Sequence, residues 1–131
     1  MEESKEKNIV IDENTIKKKV FNIRHQKVML DFELAEIYGY STKRFNEQVK
    51  NNAGKFDEDF LFQLTRDEWE ILRSKISTSK SETGSGGRRY LTEAGIYMLM
   101  SVLKGELAVK QSKALIRTFK QMKDYTWKIK G

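Results

Sequence analysis

The segment Asp31 to Asn52, DFELAEIYGYSTKRFNEQVKNN, constrains the fold of this chain more than any other. A small residue, Ala35, stands four before Gly39, and the apolar Phe45 stands six after it. Two short helices crossing at a sharp turn make three demands: a small side chain where the second packs on the first, a glycine that accepts positive φ, and apolar side chains that lock the angle. Ala35 meets the first, Gly39 the second, and Leu34, Tyr38, Tyr40, Phe45 and Val49 the third. The spacing predicts a helix-turn-helix, with one helix from Phe32 to Tyr38 behind an Asp31 cap and another from Ser41 or Thr42 to about Asn52. With Phe45 set inward and about 100° per residue, Val49 and Asn52 also face inward. Lys43, Glu47 and Lys50 then face outward, with Arg44, Asn46 and Asn51 on the flanks. Gln48 departs from the pattern, since it stands where such units usually carry an apolar residue.

The rest of the chain predicts short elements around this unit. Val20 to Ile23 and Val28 to Leu30 read as a hairpin about the polar turn Arg24 to Lys27, and Phe60 to Leu64 reads as a buried strand. Thr65 and Glu68 have capping-box spacing and open a helix to about Ser77 that buries Trp69 and Leu72. Arg89 to Leu91 reads as a further strand and sheet partner. Thr92 caps a helix over 93–103, Gly105 breaks it, and a last helix runs from Glu106 towards Lys128. Residues 77–87, STSKSETGSGG, read as a loop from their Ser and Gly content. The class expected is α+β: a helix-turn-helix, a small β-sheet with a wing, and a long C-terminal helix. Its organisation is a flexible segment over 1–16, which lacks periodicity, a domain over 17–120 and a helical extension over 121–131.

Composition removes most chemistry. There is no Cys and one His, His25, in the expected turn. Disulfides, thiolate metal sites and Ser-His or Cys-His nucleophiles therefore have no residues to use within one chain, and a cytoplasmic location is expected. Asp57, Glu58 and Asp59 read as a solvated loop. No phosphate-binding glycine pattern is present, so neither enzyme activity nor a cofactor nor a metal is expected. No apolar run has the length of a membrane span. The net charge is +6, unevenly placed. Residues 17–30 carry five basic residues and no acid, 57–70 carry six acids against Arg66, and 104–130 carry eight basic residues against two acids.

Lys and Arg suit phosphates and guanine edges, and Asn suits adenine. The outward face of the second helix is thus chemically apt for the major groove of double-stranded DNA. Arg88 and Arg89, at the base of the Ser/Gly loop, would lie on phosphates or in a minor groove if that loop is a wing. The last helix sets Leu107, Gln111, Leu115, Thr118, Phe119, Met122 and Tyr125 in one arc and Lys110, Lys113, Arg117, Lys120 and Lys128 opposite. Ile116 and Trp127, off the docking arc, suggest a homodimer contact.

The order VMLDFELAEIYGYSTKRFNEQVKNN, KFDEDFLFQLTRDEW, LRSKIST and GGRRYLTEAGIYMLMSVL, spanning about residues 20–120, resembles the phage-type ORF-six amino-terminal DNA-binding domain. That domain is a relative of the KilA-N domain of phage antirepressor-like proteins. The resemblance implies a sequence-specific DNA-binding module, usually fused to another domain, acting in transcription regulation of phage or prophage type. Its Thr-Lys-Arg-x-Asn-Glu-Gln-Val-Lys segment falls on Thr42, Lys43, Arg44, Asn46, Glu47, Gln48, Val49 and Lys50. Because this chain stops at Gly131, an effector function is expected to be absent or truncated. The DNA contacts expected are Thr42, Lys43, Arg44, Asn46, Glu47, Lys50, Asn51, Arg88 and Arg89. The alternative is a protein interaction module that binds a repressor or another regulator, with its DNA contact incidental.

Overall fold

The computed structural model describes residues 11–75 and 89–130, with side chains through Lys123. Helix α1 (Glu13–Lys18) precedes a hairpin of β1 (Val20–Ile23) and β2 (Gln26–Leu30). Helices α2 (Asp31–Ile37) and α3 (Thr42–Asn51) follow, and a 3-10 turn at Ala53–Lys55 leads to β3 (Leu61–Gln63) and α4 (Arg66–Arg73). Strand β4 (Arg89–Thr92), α5 (Glu93–Leu99) and α6 (Glu106–Lys130) complete it. The expected α+β class, with a small sheet and a long C-terminal helix, is the one observed.

The four strands form one antiparallel sheet in the order β1-β2-β4-β3. Val28, Met29 and Leu30 lie opposite Thr92, Leu91 and Tyr90, and Leu61 to Gln63 lie opposite Leu91 to Arg89. The central strands are buried on both faces, which is why Val28-Met29-Leu30 reads as an unbroken apolar run. Met29 and Leu91 face a core shared with Ile16, Leu34, Phe45, Val49, Ile96, Leu115 and Phe119 from the helices. Val28, Leu30 and Tyr90 face a second core closed by Phe32, Trp69 and Leu72. Thr65 and Glu68 complete the capping box of α4 in both directions, and Thr92 caps α5 through the Gly95 N–H. Gly95 has to be glycine, since a Cβ there would stand 2.0 Å from the Phe60 carbonyl oxygen.

Several boundaries differ from the sequence expectation, each for a local reason. Residues 13–16, expected to be flexible, belong to α1. Asp12 caps it, Ile16 is fully buried, and the Ile11 N–H reaches Gln111 Oε1 on α6 at 2.9 Å. A six-residue helix has no stability of its own, so tertiary docking rather than periodicity holds it. The hairpin turn is two residues long, with Arg24 at φ 54° and His25 at φ 65°, and Gln26 and Lys27 belong to β2. Two left-handed residues match the twist of the flanking strands, a task usually given to Asn-Gly. Here Arg24 supplies compensation, donating to both carboxylate oxygens of Glu68 at 2.8 and 2.9 Å and lying 4.3 Å over the Phe62 ring. Asp31 is the first helical residue of α2 rather than its cap, a position held by Leu30. Helix α5 ends at Leu99, with turns over 100–102, and α4 ends at Arg73. The 77–87 loop and Arg88 lie outside the described residues.

Helix α6 buries Gln111, Leu115, Thr118 and Phe119 of the expected arc, with Leu107 and Met122 half-buried, while Lys110, Lys113, Arg117 and Lys120 are exposed; the Tyr125 and Lys128 side chains lie outside the described residues. It packs along α1, edge-on to Tyr97 through Phe119, and against the end of α2.

Candidate nucleic-acid interface

Helices α2 and α3 are joined at Gly39, whose φ of 76° places it in the left-handed region. The following Tyr40 N–H returns to the Ala35 carbonyl at 2.8 Å, which closes the end of α2. Ser41 then caps α3 by accepting from the Arg44 N–H at 3.1 Å. Phe45 and Val49 are buried against α2, as their spacing required. The turn is backed by α6, where Leu107 comes within 3.4 Å of the position a Gly39 Cβ would take.

Two buried polar contacts fix the end of α2 on α6. Gln111 donates from Nε2 to the Ile37 carbonyl at 2.8 Å, and the Tyr38 hydroxyl shares a 2.8 Å hydrogen bond with Ser112 Oγ. Burial pushes the Tyr38 hydroxyl up to about 12, against a smaller opposing effect of Ser112, so it stays protonated at neutral pH.

A third polar contact joins the two helices directly. Asp31 is 2% exposed. Its Oδ1 accepts from the Phe32 N–H at 2.7 Å, and its Oδ2 accepts from Asn46 Nδ2 at 3.2 Å. The Asn46 Oδ1 atom is buried with no hydrogen-bond partner among the described residues, as is the nearby strand's Tyr90 hydroxyl. Asn46 therefore stands between α3 and the start of α2, half-buried. By spacing alone Asn46 falls on the flank of the outward face, and Asp31 reads as a cap. An acid before an apolar run reads the same in either role.

The remaining residues of the expected contact set form a row on the outside of α3. Lys43, Arg44, Glu47, Lys50 and Asn51 are exposed, and Thr42 is partly so. The Arg44 guanidinium lies 5.4 Å over the Tyr40 ring, which holds its stem back along the turn. Lys43, Arg44 and Lys50 enter no ion pair among the described residues, whereas Lys19, Arg24, Lys110 and Lys123 each face a carboxylate. Gln48 is half-buried, and its backbone carbonyl accepts from Asn52 Nδ2 at 2.8 Å.

The other expected site residues lie apart from this row. Arg89 is half-buried in β4 opposite Gln63 at the sheet edge, while Arg88 lies outside the described residues. Ile116 is exposed on α6, and the Trp127 side chain lies beyond those described. No helix among the described residues is long and apolar enough to cross a membrane.

No curated protein and no solved structure matches the chain. The ORF6N domain model matches residues 18–102, which run from the end of α1 through both helices of the Gly39 unit to just past α5. With that match over the sheet, the turn and the exposed row, the chain belongs to the ORF6N domain family.

Proposed function

We propose that this chain is a sequence-specific double-stranded DNA-binding regulator of phage or prophage type, with α2 and α3 acting as a helix-turn-helix and α3 entering the major groove. The observation that carries the reading is the row Lys43, Arg44, Lys50 and Asn51, exposed and without ion-pair partners among the described residues, on a helix held from behind. Lys43, Lys50 and Thr42 supply affinity through phosphates, and counterion release makes that affinity salt-dependent. Arg44 supplies base choice, as its guanidinium pairs with guanine edges, and Asn51, at the C-terminal end of α3, meets the backbone at the groove rim. Glu47 selects against bases that present acceptors to it. Asn46 serves the interface by holding α3 on α2, and Arg89 reaches phosphates beyond the α3 row.

The test is selection from a pool of random duplex DNA at two salt concentrations, beside the Lys43→Ala, Arg44→Ala double variant. One enriched motif, lost in the double variant while its fold is kept, is the expected result. A steep salt dependence with no motif, or no binding at all, would overturn the reading.

A second reading, a protein contact, rests on Val109 and Ile116. They stand seven residues apart on α6 and are 53% and 42% exposed, so they share a face. Self-association through that face gives a dimer. Ile116→Ser would then reduce the mass measured by light scattering to that of one chain.

A further inference from the structure

Beyond the end of α3, two ammonium groups meet at one residue. Lys55, the last residue of the 3-10 turn, donates from Nζ to Ser101 Oγ at 3.3 Å. Lys104, which lies 49 residues further along the chain, donates from Nζ to the Ser101 carbonyl oxygen at 3.2 Å. The Ser101 hydroxyl spends its own proton on the Met98 carbonyl at 2.9 Å, so its oxygen is left to face Lys55. Carbonyls at the C-terminal end of α5 account for one cation there. They do not account for a second brought from a different element, since two like charges in one place repel. Neither lysine has a carboxylate partner among the described residues.

We propose that Lys55 and Lys104 form a phosphate clamp for the DNA backbone, positioned by Ser101. The proposal rests on the DNA-binding reading above. A helix of the ten residues in α3 is about 15 Å long, and the major groove it would enter is about 12 Å wide. If the N-terminal half of α3 reads bases, its C-terminal end leaves the groove at the rim, where phosphates lie. Lys50 is exposed in the last turn of α3, and Lys55 follows one short turn later. The clamp thus continues the unpaired basic row from the groove floor to the backbone. A phosphodiester oxygen supplies the negative charge that the two ammonium groups lack, and the contact is independent of base sequence.

The experiment measures binding of a mixed-sequence duplex of about 20 base pairs between about 50 and 200 mM salt. It uses the whole chain, the Lys55→Ala, Lys104→Ala double variant and the charge-keeping Lys55→Arg, Lys104→Arg double variant. Each phosphate neutralised contributes about 0.9 to the slope of log K against log salt. Removing both lysines should therefore lower the slope by about 1.8, so that the salt-induced loss of affinity over that range shrinks about 12-fold. The arginine variant should keep the slope, the enriched motif should be the same in all three chains, and thermal melting should show all three folded. An unchanged slope in the alanine variant, with the parent chain binding, would overturn the clamp and leave the DNA reading standing. Failure of the parent chain to bind the duplex would overturn both. Inorganic phosphate alone perturbing the two lysines, while the duplex slope stays the same in the variant, would overturn the assignment to the DNA backbone.

Discussion

Asn46 offers the sharpest test of how the α2–α3 unit works, because its two readings predict opposite losses. Its amide donates to Asp31 Oδ2 at 3.2 Å, and Asp31 is a carboxylate 2% exposed. A hydrogen bond to a charged group contributes about 1.5–3 kcal/mol, more than a neutral one, because the charge strengthens the bond. Asn46→Ala should therefore lower the unfolding free energy by about 1.5–3 kcal/mol. At about 4 °C per kcal/mol for a domain of this size, the melting temperature should fall by roughly 6–12 °C. The double-mutant cycle with Asp31→Ala isolates the pair. Asn46→Ala should cost at least about 1 kcal/mol less when Asp31 is already alanine. Urea denaturation of the four chains measures the cycle, and binding to the duplex selected by the parent chain measures the other arm. If Asn46 reads a base instead, the variant keeps its stability within about 0.5 kcal/mol. It then loses about 1–3 kcal/mol of discrimination at one adenine. That pair of results, with a coupling energy near zero, would refute the bracing role.

Glu68 is held down to about 2, chiefly by its hydrogen bonds from Arg24, with the Thr65 N–H adding to the effect and desolvation opposing it. A carboxyl held below its ordinary value stabilises the fold above that value and loses its contribution as pH falls towards 2. Both partners are partly in solvent, so Glu68→Gln should cost only about 1 kcal/mol at neutral pH. The gap to the parent chain should close in denaturation curves between about pH 4.5 and 2, and a constant gap would refute the pairing. Gly95→Ala should be far more damaging. Its Cβ would stand 2.0 Å from the Phe60 carbonyl oxygen, which is itself anchored by the Thr92 N–H at 3.0 Å. The better helix propensity of Ala, about 1 kcal/mol, cannot offset a backbone clash of about 3 kcal/mol or more. Urea denaturation should show the loss, and a neutral or stabilised variant would refute the close approach of α5 to the β3 segment.

What the sequence made legible is what near neighbours in the chain decide. The Gly39 turn, the inward Phe45 and Val49, the Thr65 and Glu68 capping box, the Thr92 cap and the arc of α6 all rest on residues a few positions apart. Their spacing carries the geometry by itself. What stayed hidden was set at a distance. Asp31 meets Asn46 fifteen residues on, and Arg24 meets Glu68 forty-four residues on. Without that second contact, Arg24-His25 gives no sign of adopting a turn that usually needs glycine or asparagine. Helix α1 is too short to announce itself, and only its packing on α6 shows why it forms. The outward row of the candidate interface was readable because exposure follows from helical period once the inner face is known. The meeting of Lys55 and Lys104 was not, since nothing local links a turn after α3 to the end of α5.

The buried polar contacts of α6 tie this helix to the α2–α3 unit although it presents none of the α3 row. Apolar residues at Gln111, Ser112 and Tyr38 would bury more hydrocarbon, but they would accept several registers of α6 along α2. Gln111 is 4% exposed and satisfies the Ile37 carbonyl with one end of its amide and the Ile11 N–H with the other. The Tyr38 hydroxyl, protonated at neutral pH, does the same for Ser112 one position along. Each hydrogen bond contributes only about 1 kcal/mol net, whereas each buried group left unpaired costs about 1–3 kcal/mol. A slide of α6 by one turn would break all of them together, so the register is fixed far more strongly than the individual bonds are stabilising. Since the same residues end α2 and lead into Gly39, the direction of α3 is tied to α6 through them. A partner that draws α6 through its exposed Val109 and Ile116 face would act on the pitch of α3 through these contacts, and it would do so without touching the basic row.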